Sequence, residues 1–190
     1  EWQTCMIPAF LKCRRIRKDS PYAETGSLLT IHNLPYQGEY PLEYAEDLAL
    51  DKRFFKLDKL DYHGKLNLMK LGIMAADKIN AVSPSYYEET MTGGELGAGL
   101  SDILSDRKKD YTGILNGLNY SDWPPENSEG IEPMVDKNLA KYKAANKKAA
   151  LRECGIDGTN PEAPLFGVVS RLFHQKGLDL FADNLEVIVN

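Results

Sequence analysis

Four short apolar runs constrain this chain more than any other feature: "SLLTI" (27–31), "INAV" (79–82), "YTGIL" (111–115) and "PLFGVV" (164–169). They are apolar rather than alternating, which suits strands covered on both faces, as in a parallel sheet. Stretches with helical spacing lie between them. The pattern predicts an α/β fold with strands near 28–32, 79–82, 111–115 and 165–169. The last is expected in a separate sheet, because the Pro-rich "WPPENSEGIEP" (123–133) reads as a crossing segment between two α/β units.

The helical stretches are expected as follows. Residues 2–13 form a helix with Pro8 in or near its first turns. "GKLNLMKLGIMAADK" (64–78) forms a buried helix, with Leu66, Met69, Ile73 and Ala76 at helical spacing and Leu68, Leu71 and Ala75 widening the face. Ser85 and Glu88 form a capping box for a helix over 86–91. Residues 137–153 form a helix that Gly155 ends, and "GLDLFADNLEVIV" forms another. Residues 42–62 read as short surface helices, and "LPYQGEYP" and the Gly-rich "TGGELGAGLSD" read as loops.

Composition excludes several classes. The 190 residues carry a net charge of −5, with 43% hydrophobic and 27% charged residues, so the basic footprint of a nucleic-acid binder is missing. No apolar run approaches the roughly 18 to 20 residues that cross a bilayer. Cys5, Cys13 and Cys154 are odd in number and lack C-x-x-C spacing, so neither a disulfide framework nor a zinc site is expected, and a reducing compartment is. His32, His63 and His174 are far apart, and no metal site is expected.

Ligands of α/β sheets gather at the carboxyl ends of the strands. Those ends carry His32-Asn33, Ser83-Pro84, Asn116-Gly117, and Arg171 with Lys176. Arg171 and Lys176, between a strand and a helix, suit a phosphate group. On spacing alone a solvated loop fits Arg171 and Lys176 better, a hydrogen-bonded structural histidine fits His32 better, and Asn116-Gly117 is an ordinary turn dipeptide. "TGGELGAGL" lacks the P-loop lysine.

Taken together, "TIHNLPYQGEYP", "YHGKLNLMKLGIMAADKINAVSPSYYEE", "GELGAGLSDIL", "GILNGLNYSDWPP" and "APLFGVVSRLFHQKGLDL" resemble, in order, the bacterial glycogen synthases and plant starch synthases. The resemblance covers nearly the whole chain. It implies a GT-B fold: residues 1–125 as the later half of a first, acceptor-side Rossmann-like domain, 126–160 as the interdomain crossing and helix, and 161–190 as the first β–α unit of the nucleotide-sugar-binding domain. It also implies a retaining transfer of glucose from ADP-glucose or UDP-glucose to the non-reducing end of an α-1,4-glucan. The nucleotide-sugar is a substrate, and no cofactor, metal, nucleic acid or membrane is involved. A cytoplasmic location follows, or a plastid if the source is a plant or alga.

Position by position, the resemblance makes His32 a contact of the glucosyl unit, with Asn33 beside it. Asn116 becomes a sugar contact, followed by Gly117, and Arg171 and Lys176 become the diphosphate grip. The chain departs from the family in three ways. Glu1 stands where an aspartate precedes the Trp. Leu-Gly follows Lys70 in place of Gly-Gly. The family's Gly-rich lysine motif and later E-x-x-G motif are absent from this sequence. Both ends therefore look cut, and the piece is expected to be inactive alone. The rival readings are another GT-B glucosyltransferase with a small acceptor, and a non-catalytic glucan-binding module.

Overall fold

The computed structural model describes the chain except residues 16–18, 52, 54–55, 57–59, 122–130, 133–137, 157–159, 161 and 190. Most of the expected crossing segment at 123–133 lies outside the described residues. The described chain divides into two compact units, Glu1–Leu118 and Asn119–Asn190.

The first unit is built on a parallel sheet of order β1-β5-β6, comprising β1 (Leu28–Ile31), β5 (Lys78–Ala81) and β6 (Tyr111–Gly113). Register runs from Leu28 opposite Lys78 to Ile31 opposite Ala81, and from Ile79 opposite Tyr111 to Ala81 opposite Gly113. Three of the four expected strands are therefore present and parallel. Leu29, Ile31, Ile79 and Ala81 are buried. Each large apolar side chain among them contributes roughly 1.5–3 kcal/mol relative to exposure.

Helix α1 (Met6–Arg15), preceded by a 3-10 turn at Trp2–Thr4, packs against helix α2 (Leu68–Ala75). At Gly72 of α2 a Cβ would stand 2.5 Å from the Sγ of Cys5, the residue just before α1, so this contact needs a glycine. Cys5 is fully buried, with its thiol 3.9 Å from Met69 Sδ. Burial pushes that thiol up to a pKa of about 11, so it stays protonated and inert.

The expected helix over 64–78 is corrected. Lys65–Asn67 is strand β4, the centre of a small antiparallel sheet with β2 (Glu39–Pro41) and β3 (Asp61–Tyr62). The helix starts only at Leu68, because Asn67 is its cap: Asn67 Oδ1 accepts from the Lys70 N–H at 2.8 Å. The carbonyls of Gln37 and Gly38 accept the Met69 and Leu68 N–H groups at 2.9 and 3.1 Å. "LPYQGEYP" therefore contains a strand, and its residues satisfy the free donors of a helix end.

The next cap is also corrected. Helix α3 (Pro84–Met91) is capped by Ser83, not Ser85: Ser83 Oγ accepts from the Tyr86 N–H at 3.0 Å, and Pro84 occupies the first turn. "TGGELGAGLSD" is not a flexible loop. It folds into α4 (Gly94–Gly97) and the start of α5 (Ser101–Asp106), tied down by Ser101 Oγ donating to Thr90 O at 2.9 Å.

The second unit contains α6 (Leu139–Glu153), capped by Asn138 and closed by Gly155 at φ +69°. The Gly155 and Ile156 N–H groups donate back to Arg152 and Leu151 carbonyls at 3.0 and 2.9 Å, satisfying the helix end as expected. The strand expected at 165–169 is absent. Leu165, Phe166, Val168 and Val169 are exposed, and no strand pairs with them among the described residues. An apolar run becomes a strand only where neighbours take up its backbone groups. The final helix is two, α7 (Leu178–Asp183) and α8 (Leu185–Val189), interrupted at Asn184, whose side chain donates to Leu180 O at 2.8 Å.

Candidate functional site

Because β1, β5 and β6 are parallel, their carboxyl ends share one edge of the sheet. His32 leaves β1 there, with its side chain exposed and its N–H donating to Glu1 Oε1 at 3.0 Å. Asn33 follows, half-buried, its carbonyl accepting from the Tyr36 N–H at 3.3 Å. Leu34 is fully buried, and its N–H donates to Tyr86 Oη at 2.8 Å. The backbone is thus held on both sides of Asn33, while the His32 imidazole faces solvent instead of filling a core position.

The same loop is fixed further along. Gln37 Nε2 donates to Ala98 O at 2.6 Å, and Gln37 Oε1 accepts from Asn67 Nδ2 at 2.5 Å. Asn67 is almost fully buried, so it needs both partners. Gln37 thereby couples the β1 exit loop to the cap of α2 and to the turn after α4.

Asn116 and Gly117 leave β6 along the same edge. The Ile114 N–H donates to Ala81 O at 2.9 Å, extending the ladder one residue beyond β6. After it the chain is exposed and irregular, with Asn116-Gly117 in open coil and not in a hydrogen-bonded turn. At Gly113 a Cβ would lie 2.5 Å from Pro84 Cα, so a glycine is what lets β6 pass the start of α3.

Arg171 and Lys176 belong to the second unit. Both are exposed, and among the described residues neither is ion-paired. They flank a tight segment: the Phe173 N–H donates to Arg171 O at 2.8 Å, and the Lys176 N–H to Phe173 O at 2.9 Å. Lys176 ends a 3-10 turn, and Gly177 at φ +64° opens α7. Of the expected strand–loop–helix order only the loop and the helix are found, since the run before Arg171 is coil.

Burial raises the Tyr86 and Tyr111 phenols above their ordinary values, so both remain protonated near neutrality. Among the described residues no group of three or more His, Cys, Asp and Glu is placed to hold a metal ion. No described helix is long and apolar enough to cross a membrane.

Sequence reasoning missed Tyr86 and Gln37. Tyr86 lies 52 residues after its partner Leu34, and no local pattern joins them. The Asn67 cap had a signal, since an Asn before the most regular apolar repeat of the segment is a standard helix start.

Three comparisons bear on this arrangement. The family model described as starch synthase catalytic domain matches residues 1–106, more than half of the chain. The glycogen synthase of Geotalea daltonii is 45% identical over 95% of the chain, and that of Thermotoga maritima 40% identical over 99%. The chain spans 37% and 38% of the lengths of those two relatives. The catalytic domain of starch synthase IV from Arabidopsis thaliana, solved bound to ADP and acarbose, superposes with a TM-score of 0.81 at 24% identity, covering all of this chain and 38% of that one. That likeness places the α/β architecture in the GT-B class expected from the sequence. Because that family model matches more than half of its length, the chain belongs to the starch synthase catalytic domain family.

Proposed function

We propose that this chain carries part of a retaining glucosyltransferase, which moves glucose from ADP-glucose or UDP-glucose to the non-reducing 4-OH of an α-1,4-glucan. The observation that carries the reading is His32, exposed on a rigidly anchored loop at the carboxyl edge of a parallel sheet, inside the segment that matches the family. The names of the relatives support it, as do the ADP and acarbose bound by the Arabidopsis enzyme. In this reading residues 1–125 serve the acceptor side, 126–160 cross between domains, and 161–190 begin the nucleotide-sugar side.

The roles follow from charge and position. The acceptor O4 bonds to glucose C1 on the face from which the diphosphate leaves, the C1–O bond to the diphosphate breaks with its electron pair, and the acceptor's proton passes to an oxygen of the departing phosphate. Negative charge grows on the leaving oxygen. Arg171 and Lys176 stabilise that charge, one as a planar fork and the other as a point charge. His32, Asn33 and Asn116 hold sugar hydroxyls by hydrogen bonds, and Gly117 leaves room beside them. The reaction so written needs neither metal nor organic cofactor.

The test is incorporation of labelled glucose into glycogen by the protein of the complete reading frame, with ADP-glucose and UDP-glucose offered separately. Transfer from one of them, falling about a hundredfold or more in His32→Ala, is expected. Absence of transfer from both donors would sink the proposal.

A further inference from the structure

Past the last ladder bond of β6, made by the Ile114 N–H, the chain from Leu115 to Leu118 is exposed coil. It carries Asn116-Gly117, the one Asn-Gly pair of the sequence. Asparagine is a thermolabile residue. The main-chain nitrogen that follows it can attack its side-chain carbonyl carbon and close an imide ring. Two conditions govern the attack. The following N–H must be free of hydrogen bonds, and the side chain must be free to swing over the next peptide.

The described asparagines differ in these conditions. The N–H after Asn33 belongs to buried Leu34 and donates to Tyr86 Oη. The N–H after Asn67 belongs to Leu68 and donates to Gly38 O, while the Asn67 side chain is bonded to Gln37 and to the Lys70 N–H. Asn138 is occupied as the cap of α6. Asn160 precedes a proline, which has no N–H. At Asn116-Gly117, no group among the described residues takes up the Gly117 N–H or the Asn116 side chain. The space is open as well: a Cβ at Gly117 would meet no atom within 4 Å. A glycine in coil also reaches backbone conformations that a side chain would hinder.

We infer that Asn116-Gly117 is a site of self-modification, at which Asn116 is converted to aspartate and isoaspartate. Solvent hydroxide takes the Gly117 amide proton, and the nitrogen bonds to Asn116 Cγ. The Cγ–N bond of the side-chain amide breaks, and the departing NH2 takes a proton from water and leaves as ammonia, which returns the hydroxide. Water then opens the succinimide. Cleavage at Cγ leaves aspartate. Cleavage at the main-chain carbonyl leaves isoaspartate, with the chain rerouted through Cγ and lengthened by a methylene. The consequence rests on the glucosyl-transfer reading above, in which Asn116 holds a sugar hydroxyl. Aspartate exchanges the amide's donors for a charge, and isoaspartate also displaces Gly117. The sugar-binding edge therefore ages at this residue.

The experiment is peptide mapping by mass spectrometry of the 190-residue chain held at mildly alkaline pH, with isoaspartyl methyltransferase labelling, beside the urea-unfolded chain and Gly117→Ala. Asn116 should convert about tenfold or more faster than Asn33 or Asn67 in the folded chain, and within about threefold of its own rate in urea, because the fold does not hold it. Gly117→Ala should slow the conversion about tenfold or more, since its Cβ hinders ring closure. Conversion no faster than at Asn33, or protection by folding equal to that of Asn67, overturns the site. A kinetic arm separates this from the reaction. In the protein of the complete reading frame, transfer should decline in step with the converted fraction of Asn116. If Asn116 converts but transfer is absent from the start, the reaction falls and the modification site stands. If transfer occurs and Asn116 stays intact through the incubation, the modification site falls and the reaction stands.

Discussion

The Leu34 N–H and Tyr86 Oη, 2.8 Å apart, tie the exit loop of β1 to helix α3. Tyr86→Phe keeps the ring and removes the acceptor, leaving a partly buried N–H without its partner. A cost of about 1–2 kcal/mol is expected. Urea unfolding should show it, and amide exchange at Leu34 should quicken. Transfer activity should fall through kcat with little change in glucan KM, because the variant loosens His32 without touching the sugar. Unchanged exchange at Leu34 would count against the tether.

Arg107 closes the other end of the helix layer. Its guanidinium donates to Ile73 O, to Ala76 O at 2.6 Å and to Asp77 O at 3.4 Å, covering carbonyls that α2 leaves free. A cation there also meets the negative end of the helix dipole. Arg107→Ala should destabilise the first unit by roughly 1–3 kcal/mol, and Arg107→Lys should recover only part, since one ammonium cannot reproduce the fork. Equal denaturation midpoints for all three proteins would refute the capping role.

Gly38 is required twice, by its positive φ and by the Trp2 ring against it. Gly38→Ala should lower the melting temperature, with a cost on the order of 1–3 kcal/mol from strain and overpacking. Gly64 also has positive φ but open space around it, so Gly64→Ala should cost less. Comparing the two by thermal unfolding separates the steric part from the backbone part.

Alkaline pH should weaken the first unit. Burial raises Cys5 from 9.0 to about 11, so its contribution is fully present below pH 9 and is lost as pH rises through about 11. Two units correspond to roughly 2–3 kcal/mol at most. The raised Tyr86 and Tyr111 phenols act in the same direction. Stability against urea should therefore decline between pH 9 and 11, less steeply in Cys5→Ala. A slope identical in parent and variant would remove Cys5 from the account.

The sheet was legible because its strands are buried on both faces and so read as apolar runs with polar ends. Leu29, Ile31, Ile79 and Ala81 announce themselves locally. Lys65–Asn67 was misread because Leu66 and Asn67 are buried by a strand pairing with Glu39–Pro41 that no helical repeat can reveal. Ser85 draws the capping-box reading because Glu88 stands three residues after it, whereas Tyr86 stands three after Ser83; the fold nevertheless caps the helix with Ser83 and places Pro84 in its first turn. The 165–169 run shows the opposite failure: its composition is that of a strand, but pairing is a property of neighbours. His32, Arg171 and Lys176 were nameable from the resemblance, whereas Tyr86 and Gln37 act through contacts made only by the fold.

The most direct measurement of the central claim is steady-state kinetics of Arg171→Ala and Lys176→Ala in the protein of the complete reading frame, with donor and glucan varied separately. If the two cations stabilise charge on the departing diphosphate, each alanine variant should lose roughly 3–4 kcal/mol of transition-state stabilisation, about a hundredfold to a thousandfold in kcat. Glucan KM should stay near its starting value, and Lys176→Arg should restore little. Wild-type kcat with only a raised donor KM would contradict the account, because it would make the pair a uniform binding site and not part of the chemistry.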